Sequence, residues 1–269
     1  MAPSGALKVD KPMSESPVSM SLKTPESPII PCANCPLQTV SGLRPLAAGQ
    51  IEFMQGFKQG ELYVGKGAQM LSPGVTSPHL YTLLQGVVFR FKSLEDGRRQ
   101  IVNFLFPGDM IGLQGAMEDP LQYGIEAVTD ARVCIFQRER FLELFSVHPR
   151  LGFDVAWLAA QEETSLDEHL TTVGRRNARE RIAYLAVFLF LRGRATGMSG
   201  RTYLNISLTQ AQIADTIGLS VVHTNKTLQM LRKAGTIEWT PDRIGIHDME
   251  AAMTCAKYDL PLESARPFI

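Results

Sequence analysis

The 269 residues are 45% hydrophobic and 20% charged, an ordinary globular composition with enough chain for one large core or two smaller ones, so disorder over the whole length is excluded. Twenty-seven basic residues balance 27 acidic ones, and a global charge excess cannot be what recruits a partner. The longest apolar run, Ile182 to Leu191, is about half of the roughly twenty residues a membrane-spanning helix needs, and no secretory signal pattern opens the chain. A cytoplasmic protein with no membrane partner is expected. Four cysteines are too few for a disulfide framework and read as thiols or metal ligands.

Residues 1–30 carry many prolines and serines and only scattered apolar residues, the composition of a disordered leader. Leu46, Ile51, Phe53, Met54 and Phe57 suit a short helix between Arg44 and Phe57. From 58 to 145 the pattern turns to short runs: Leu80 to Leu84, Val87 to Lys92, Arg99 to Phe106, Ile125 to Val128 and Val133 to Phe136. Turn residues at Gly86, Glu95-Asp96-Gly97 and Pro107-Gly108-Asp109 separate them. This spacing predicts an antiparallel barrel or jelly roll. After Pro149 the period becomes helical, with Leu151, Val155, Leu158, Glu162, Leu166, Leu170 and Val173 on one stripe. Such a stripe predicts either a helix lying on the barrel or a seam with an identical helix of a second copy.

Charge is unevenly placed. Residues 175–245 hold eleven Lys or Arg against four Asp or Glu, net +7, whereas residues 1–174 hold fourteen against nineteen, net −5. A basic segment of this kind suits a polyanion, or serves only as a solubilising surface. Within it, Thr209 can cap a helix running to Ile217, Gln212 completes a capping box, and Gly218 supplies a turn. Ser220 then caps a second helix, Val221 to Ala234. Two short helices about a glycine turn predict a helix-turn-helix, and the runs Thr236 to Trp239 and Arg243 to Ile246 predict a wing. Leu228 and Leu231 face inward. Val222, His223, Asn225, Lys226 and Gln229 face solvent or a ligand, and in a major groove Asn can pair with adenine and Lys can donate to guanine. Thr209, Gln210 and Lys233 complete the candidate DNA contacts, Lys226 and Lys233 also being suited to phosphates alone.

Barrel, long helix and basic reader in this order resemble the CRP/FNR family of bacterial transcription regulators over about residues 32–247. The most specific pieces are Gly86-Val-Val-Phe-Arg, Phe106-Pro-Gly-Asp109-Met-Ile-Gly112, Gly174 to Leu185 and Leu208 to Leu219. The resemblance implies an α+β chain: a β-jelly-roll sensor of the cupin-like, cyclic-nucleotide-binding type (31–148), a dimerisation helix (149–174), a winged helix-turn-helix (175–250) and a tail (251–269). It implies a homodimer on a pseudo-palindromic duplex operator, RNA polymerase as a partner, and Leu151, Val155, Leu158, Glu162, Leu166, Leu170 and Val173 at the dimer interface. The family's reading helix usually carries Glu, then Ser or Gly, then Arg, where this chain has Val222, Asn225 and Lys226, so a different operator is implied.

Two signals are known in the family that the chain resembles. Cyclic-nucleotide members hold the phosphate with an arginine, and Leu113 to Ala127 contains none, so a buried phosphate would lack a partner; cAMP is not expected. Members that sense oxygen bind a 4Fe-4S cluster, for which Cys32, Cys35 and Cys134 are candidate ligands, while the family's third N-terminal cysteine falls on Ser41. The same residues also read as a core cysteine at 134 and a thiol switch at 32 and 35, leaving an unidentified small effector, or none, as the third reading. Cys255 has no partner in view. His79, His148, His169, His223 and His247 are widely separated, and no nucleophile motif, P-loop or Rossmann signature is present; no enzymatic activity is expected. The competing function is an effector-binding barrel whose winged helix contacts protein instead of DNA.

Overall fold

The computed structural model describes residues 28–117, 120–259 and 265–269; the leader expected before residue 28 lies outside them. Two short turns, Cys32–Asn34 and Pro36–Thr39, precede helix α1 (Ala48–Phe57). Eight strands follow: β1 (Lys58–Val64), β2 (Gln69–Leu71), β3 (His79–Gln85), β4 (Val88–Ser93), β5 (Arg99–Leu105), β6 (Met110–Ile111), then after helix α2 (Leu113–Met117), β7 (Gly124–Ala127) and β8 (Ala131–Gln137). They form two four-stranded antiparallel sheets, ordered β1-β8-β3-β6 and β2-β7-β4-β5, so the expected jelly roll is present. β1, β2 and β6 carry little sequence signal: β1 is mostly half-buried, and β2 and β6, at three and two residues, are too short for an apolar alternation to show.

Helix α3 (Glu143–Ser146) leads into the long helix α4 (Pro149–Arg175), opened by a proline at its first turn, where the missing N–H costs nothing. The apolar stripe along α4 divides. Leu151, Val155 and Leu158 are buried in their own protomer, packed with Phe136, Phe141 and Leu144 of the sensor. Glu162, Leu166 and Val173 are half-buried, and Leu170 is 73% exposed. The first half of the expected dimer seam is therefore a correction: those side chains are consumed by the sensor's own apolar cluster. What α4 leaves outward is a different ridge, Phe153, Ala156, Ala159, Ala160, Glu163 and Leu170.

The reading unit begins at α5 (Ala178–Ala195). Asn177 caps it, accepting from Arg179 N and Glu180 N, and Glu180 returns a carboxylate oxygen to Asn177 N at 2.8 Å. Every residue from Ile182 to Phe190 is buried. α5 is covered on one side by Phe89, Phe104 and Phe106 of the barrel and on the other by the rest of the reading unit, in one continuous core. Strand β9 (Tyr203–Asn205) precedes α6 (Gln210–Ile217) and α7 (Val221–Lys233); β10 (Glu238–Trp239) and β11 (Arg243–Gly245) then join it in a sheet ordered β10-β11-β9. Residues 251–269, expected as a tail, are corrected too. Helix α8 (Met249–Ala256) buries Ala252 and Ala256 in the reader core, and Ala265–Ile269 lies back on the sensor, with Phe268 and Ile269 in its apolar cluster.

Candidate nucleic-acid interface and sensor cleft

The reading helix is positioned by local chemistry. Thr209 Oγ1 accepts from Gln212 N and Gln212 Oε1 accepts from Thr209 N, the reciprocal box that starts α6. Gly218 ends it at φ +67, a left-handed turn that a side chain would strain. Ser220 Oγ accepts from His223 N to start α7. Thr224, Thr227 and Leu231 turn inward, leaving Val222, His223, Lys226, Gln229 and Lys233 exposed and Asn225 half-buried. The hydroxyl of Thr209 is committed to the cap, while Gln210 stands exposed one residue on.

Only part of the +7 excess reaches this surface. Arg176 is buried at the junction of α4 and α5, donating to Ala256 O and Lys257 O and pairing with Glu168 at 2.6 Å. Arg181 donates to Arg176 O and Ile217 O, Arg192 pairs with Asp109 at 2.6 Å, and Arg243 pairs with Glu238 at 3.0 Å. Arg176, Arg181 and Arg243 brace the reading unit, and Arg192 ties it to the sensor. Lys226, Arg232 and Lys233 remain exposed on α7 itself.

A second feature lies between barrel and α4: a cleft of about 740 Å³. Its apolar wall includes Leu105, Ile111, Ile125 and Leu158, and α2 contributes Leu113 and Gln114. No arginine comes from residues 113–127. Arg90 of β4 and Arg266 arrive from elsewhere, and neither is free: Arg90 pairs with Glu162 at 2.7 Å and Arg266 with Asp109 at 2.5 Å.

A chain of hydrogen bonds leaves the cleft at Glu162. Asn103 Nδ2 donates to Glu162 Oε2 (2.7 Å), His169 Nε2 meets Asn103 Oδ1 (3.3 Å), and the Tyr184 hydroxyl meets His169 Nδ1 (2.8 Å). Because Asn103 spends its amide donor on a carboxylate, its oxygen accepts, which assigns the neutral Nε2–H tautomer to His169. Burial, with the nearby Arg90 charge second, lowers the His169 pKa to about 4. The chain thus links cleft, β5, α4 and the first reader helix. Nothing in the sequence pattern pointed to it, since its members lie 81 residues apart at the extremes, from Asn103 to Tyr184.

The three candidate cluster ligands share one neighbourhood. Cys134 is buried in the sensor's apolar cluster, and Cys32 and Cys35 pack against it half-buried. Burial raises all three thiol pKa values, Cys134 to about 12, against the opposing pull of Lys58. Lys58 is itself tied to Glu61, which also binds Arg132, an ion-pair group beside the thiols. Ser41 is exposed, and among the described residues no three His, Cys, Asp or Glu side chains are placed to hold a metal ion. Three cysteines, with an exposed serine at 41 and no fourth thiol beside them among the described residues, do not supply the four-thiolate set of an iron–sulfur cluster. Cys255 is half-buried against the reader core.

Residues 46–148 match the family model for the cyclic nucleotide-binding domain, and residues 180–251 that for the Crp-like helix-turn-helix domain. The chain is similar to a probable transcriptional activator of Rhizobium leguminosarum bv. viciae, 30% identical over 171 residues, covering 64% of this chain and 70% of that protein. It is also similar to the transcriptional activator protein FnrL of Cereibacter sphaeroides, 26% identical over 209 residues, covering 77% and 79% respectively. Among solved structures, FixK2 from Bradyrhizobium japonicum shares the fold at a TM-score of 0.63 and 22% identity, covering 75% of this chain and 98% of that one. These relatives are regulators by name, not enzymes. Among the described residues no helix is long and apolar enough to cross a membrane.

Proposed function

Because the chain belongs to the CRP/FNR family of transcription regulators, we propose that it is a cytoplasmic homodimer that reads a pseudo-palindromic duplex and answers to a small effector in the sensor cleft. The observation that carries the reading is the exposed N-terminal half of α7, where Val222, His223 and Lys226 stand outward on a scaffold capped at both of its short helices. This turn enters the major groove. Asn225 and Lys226 contact base edges, while Arg232 and Lys233 contact phosphates. The twin protomer docks on the outward ridge of α4 around Ala156, Ala160 and Leu170, setting the two reading helices about 34 Å apart, one turn of DNA. RNA polymerase is the further partner of the bound dimer.

For the signal, the 740 Å³ cleft favours a small effector over a cluster or thiol switch, because the cysteines fall one thiolate short of a cluster and Cys134 is buried, while the cleft is lined by polar and apolar groups and connected to α5. Selection from a random duplex pool, followed by a salt titration of the selected sequence, tests the DNA reading. A two-half-site sequence whose log affinity falls linearly with log salt is expected; the absence of duplex binding at low salt overturns it in favour of a protein-contacting wing.

A further inference from the structure

The segment Ala265–Ile269 is fastened to the sensor in three independent ways. Its backbone pairs with the stretch before α1: Arg266 N donates to Gly42 O at 2.9 Å and Arg44 N to Arg266 O at 2.7 Å, in a parallel bridge at Leu43. Its side chains Phe268 and Ile269 are 2% and 4% exposed, packed among Leu43, Leu151 and Leu158. Its guanidinium pairs with the buried Asp109, lies over the Trp157 ring of α4 and lines the cleft. A disordered end gains nothing from such contacts, whereas burying two large apolar side chains is worth about 2 kcal/mol each before ordering costs.

Both anchor points of the segment also touch the same turn of α5. Asp109 carries a second guanidinium, that of Arg192. Gly42 lies so close to the end of α5 that a Cβ there would sit 2.1 Å from Ala195 O, which only glycine permits. Arg44, the next anchor, pairs with Asp154 of α4. Arg192 and Ala195 belong to the last turn of the helix that carries the reading unit. Where the segment sits is therefore coupled to where α5 ends, by one electrostatic and one steric route.

We propose that Ala265–Ile269 is an intramolecular strap that closes one wall of the sensor cleft and holds the last turn of α5, and with it the reading unit, in one arrangement. Strap docking and cleft occupancy share Arg266 and Asp109, so a cleft occupant that engages either group changes the hold on α5. The strap rests on the proposed DNA reading for one arm of its test only.

The test uses the full chain, a chain ended at Ser264, and Arg266→Ala, all in a Trp239→Phe background that leaves Trp157 as the reporter beneath the guanidinium. Hydrogen exchange is followed at Gly42–Arg44 and at Arg192–Thr196, and affinity is measured for the duplex selected by the unaltered protein. Both altered chains are expected to change the Trp157 emission and to speed exchange at both segments by roughly tenfold or more. Duplex affinity is expected to shift by about fivefold or more, and the added peptide Ala-Arg-Pro-Phe-Ile to reverse these effects in the shortened chain. Unchanged exchange at Arg192–Thr196 in Arg266→Ala overturns the coupling even if the shortened chain fails to fold. Altered exchange with unchanged duplex affinity overturns the hold on the reader, and absence of any duplex binding by the unaltered protein counts against the DNA reading while the exchange arm still decides the strap.

Discussion

The Tyr184 hydroxyl of α5 donates to His169 Nδ1 of α4 across 2.8 Å, and the imidazole is enclosed edge-on by the rings of Tyr184 and Phe188. A base in this position accepts only while neutral, and the folded protein keeps it so by burial, with a pKa of about 4 against an ordinary 6.5. The unfolded chain binds a proton that the folded chain refuses.

Stability is therefore expected to be full above about pH 6.5 and to fall as the pH is lowered toward 4, by up to roughly 3 kcal/mol from this group. Thermal or urea melts between pH 7 and 4 measure the slope. His169→Gln should flatten it; an unchanged slope in that variant would assign the loss to other groups.

At the reading helix, Lys226→Ala and Asn225→Ala should each cost about 1–3 kcal/mol on the selected duplex and relax base preference at the positions they face. Lys233→Ala should weaken all duplexes alike and reduce the salt slope by about one. Competition between the selected duplex and single-base variants separates the two behaviours.

The divided stripe of α4 separates two effects that a simple seam would merge. Leu158→Glu places a carboxylate in the sensor core and should cost several kcal/mol of protomer stability. Leu170→Glu, exposed in the protomer, should leave stability within about 0.5 kcal/mol and instead shift light scattering from dimer to monomer. A dimer indifferent to Leu170→Glu would move the interface off this ridge.

With its pKa near 12, the Cys134 thiol should react with a disulfide reagent at neutral pH far more slowly than it does in the unfolded chain. Protein purified without air is expected to lack cluster absorbance and acid-labile sulfide. A brown protein with four irons per chain would contradict the donor set described above.

Much of the architecture was legible along the chain because its signals are local. Strand runs between turn residues, the 3.6-residue stripe of α4, the capping box at Thr209, the serine cap at 220 and the glycine at 218 each act within about ten residues. They gave jelly roll, long helix and winged reader in order. α5 was not legible as a helix with a face, since a segment buried on every side carries no polar period. The basic segment was legible as a count but not as a surface, because Arg176, Arg181 and Arg192 turn inward to carbonyls and carboxylates supplied by other elements and Arg243 is held by Glu238.

By itself, then, the sequence determined the kind of molecule: which segments become strands and helices, and which helix stands ready to read a groove. The tertiary structure decided how these parts are joined. How much of an apolar stripe its own barrel covers, how deep each of three cysteines lies, and whether residues 265–269 stand free or lie back on the sensor all depend on which distant surface arrives nearest. Burial and ion pairing act through space, and a one-dimensional pattern records the appetite of a side chain without recording what satisfies it.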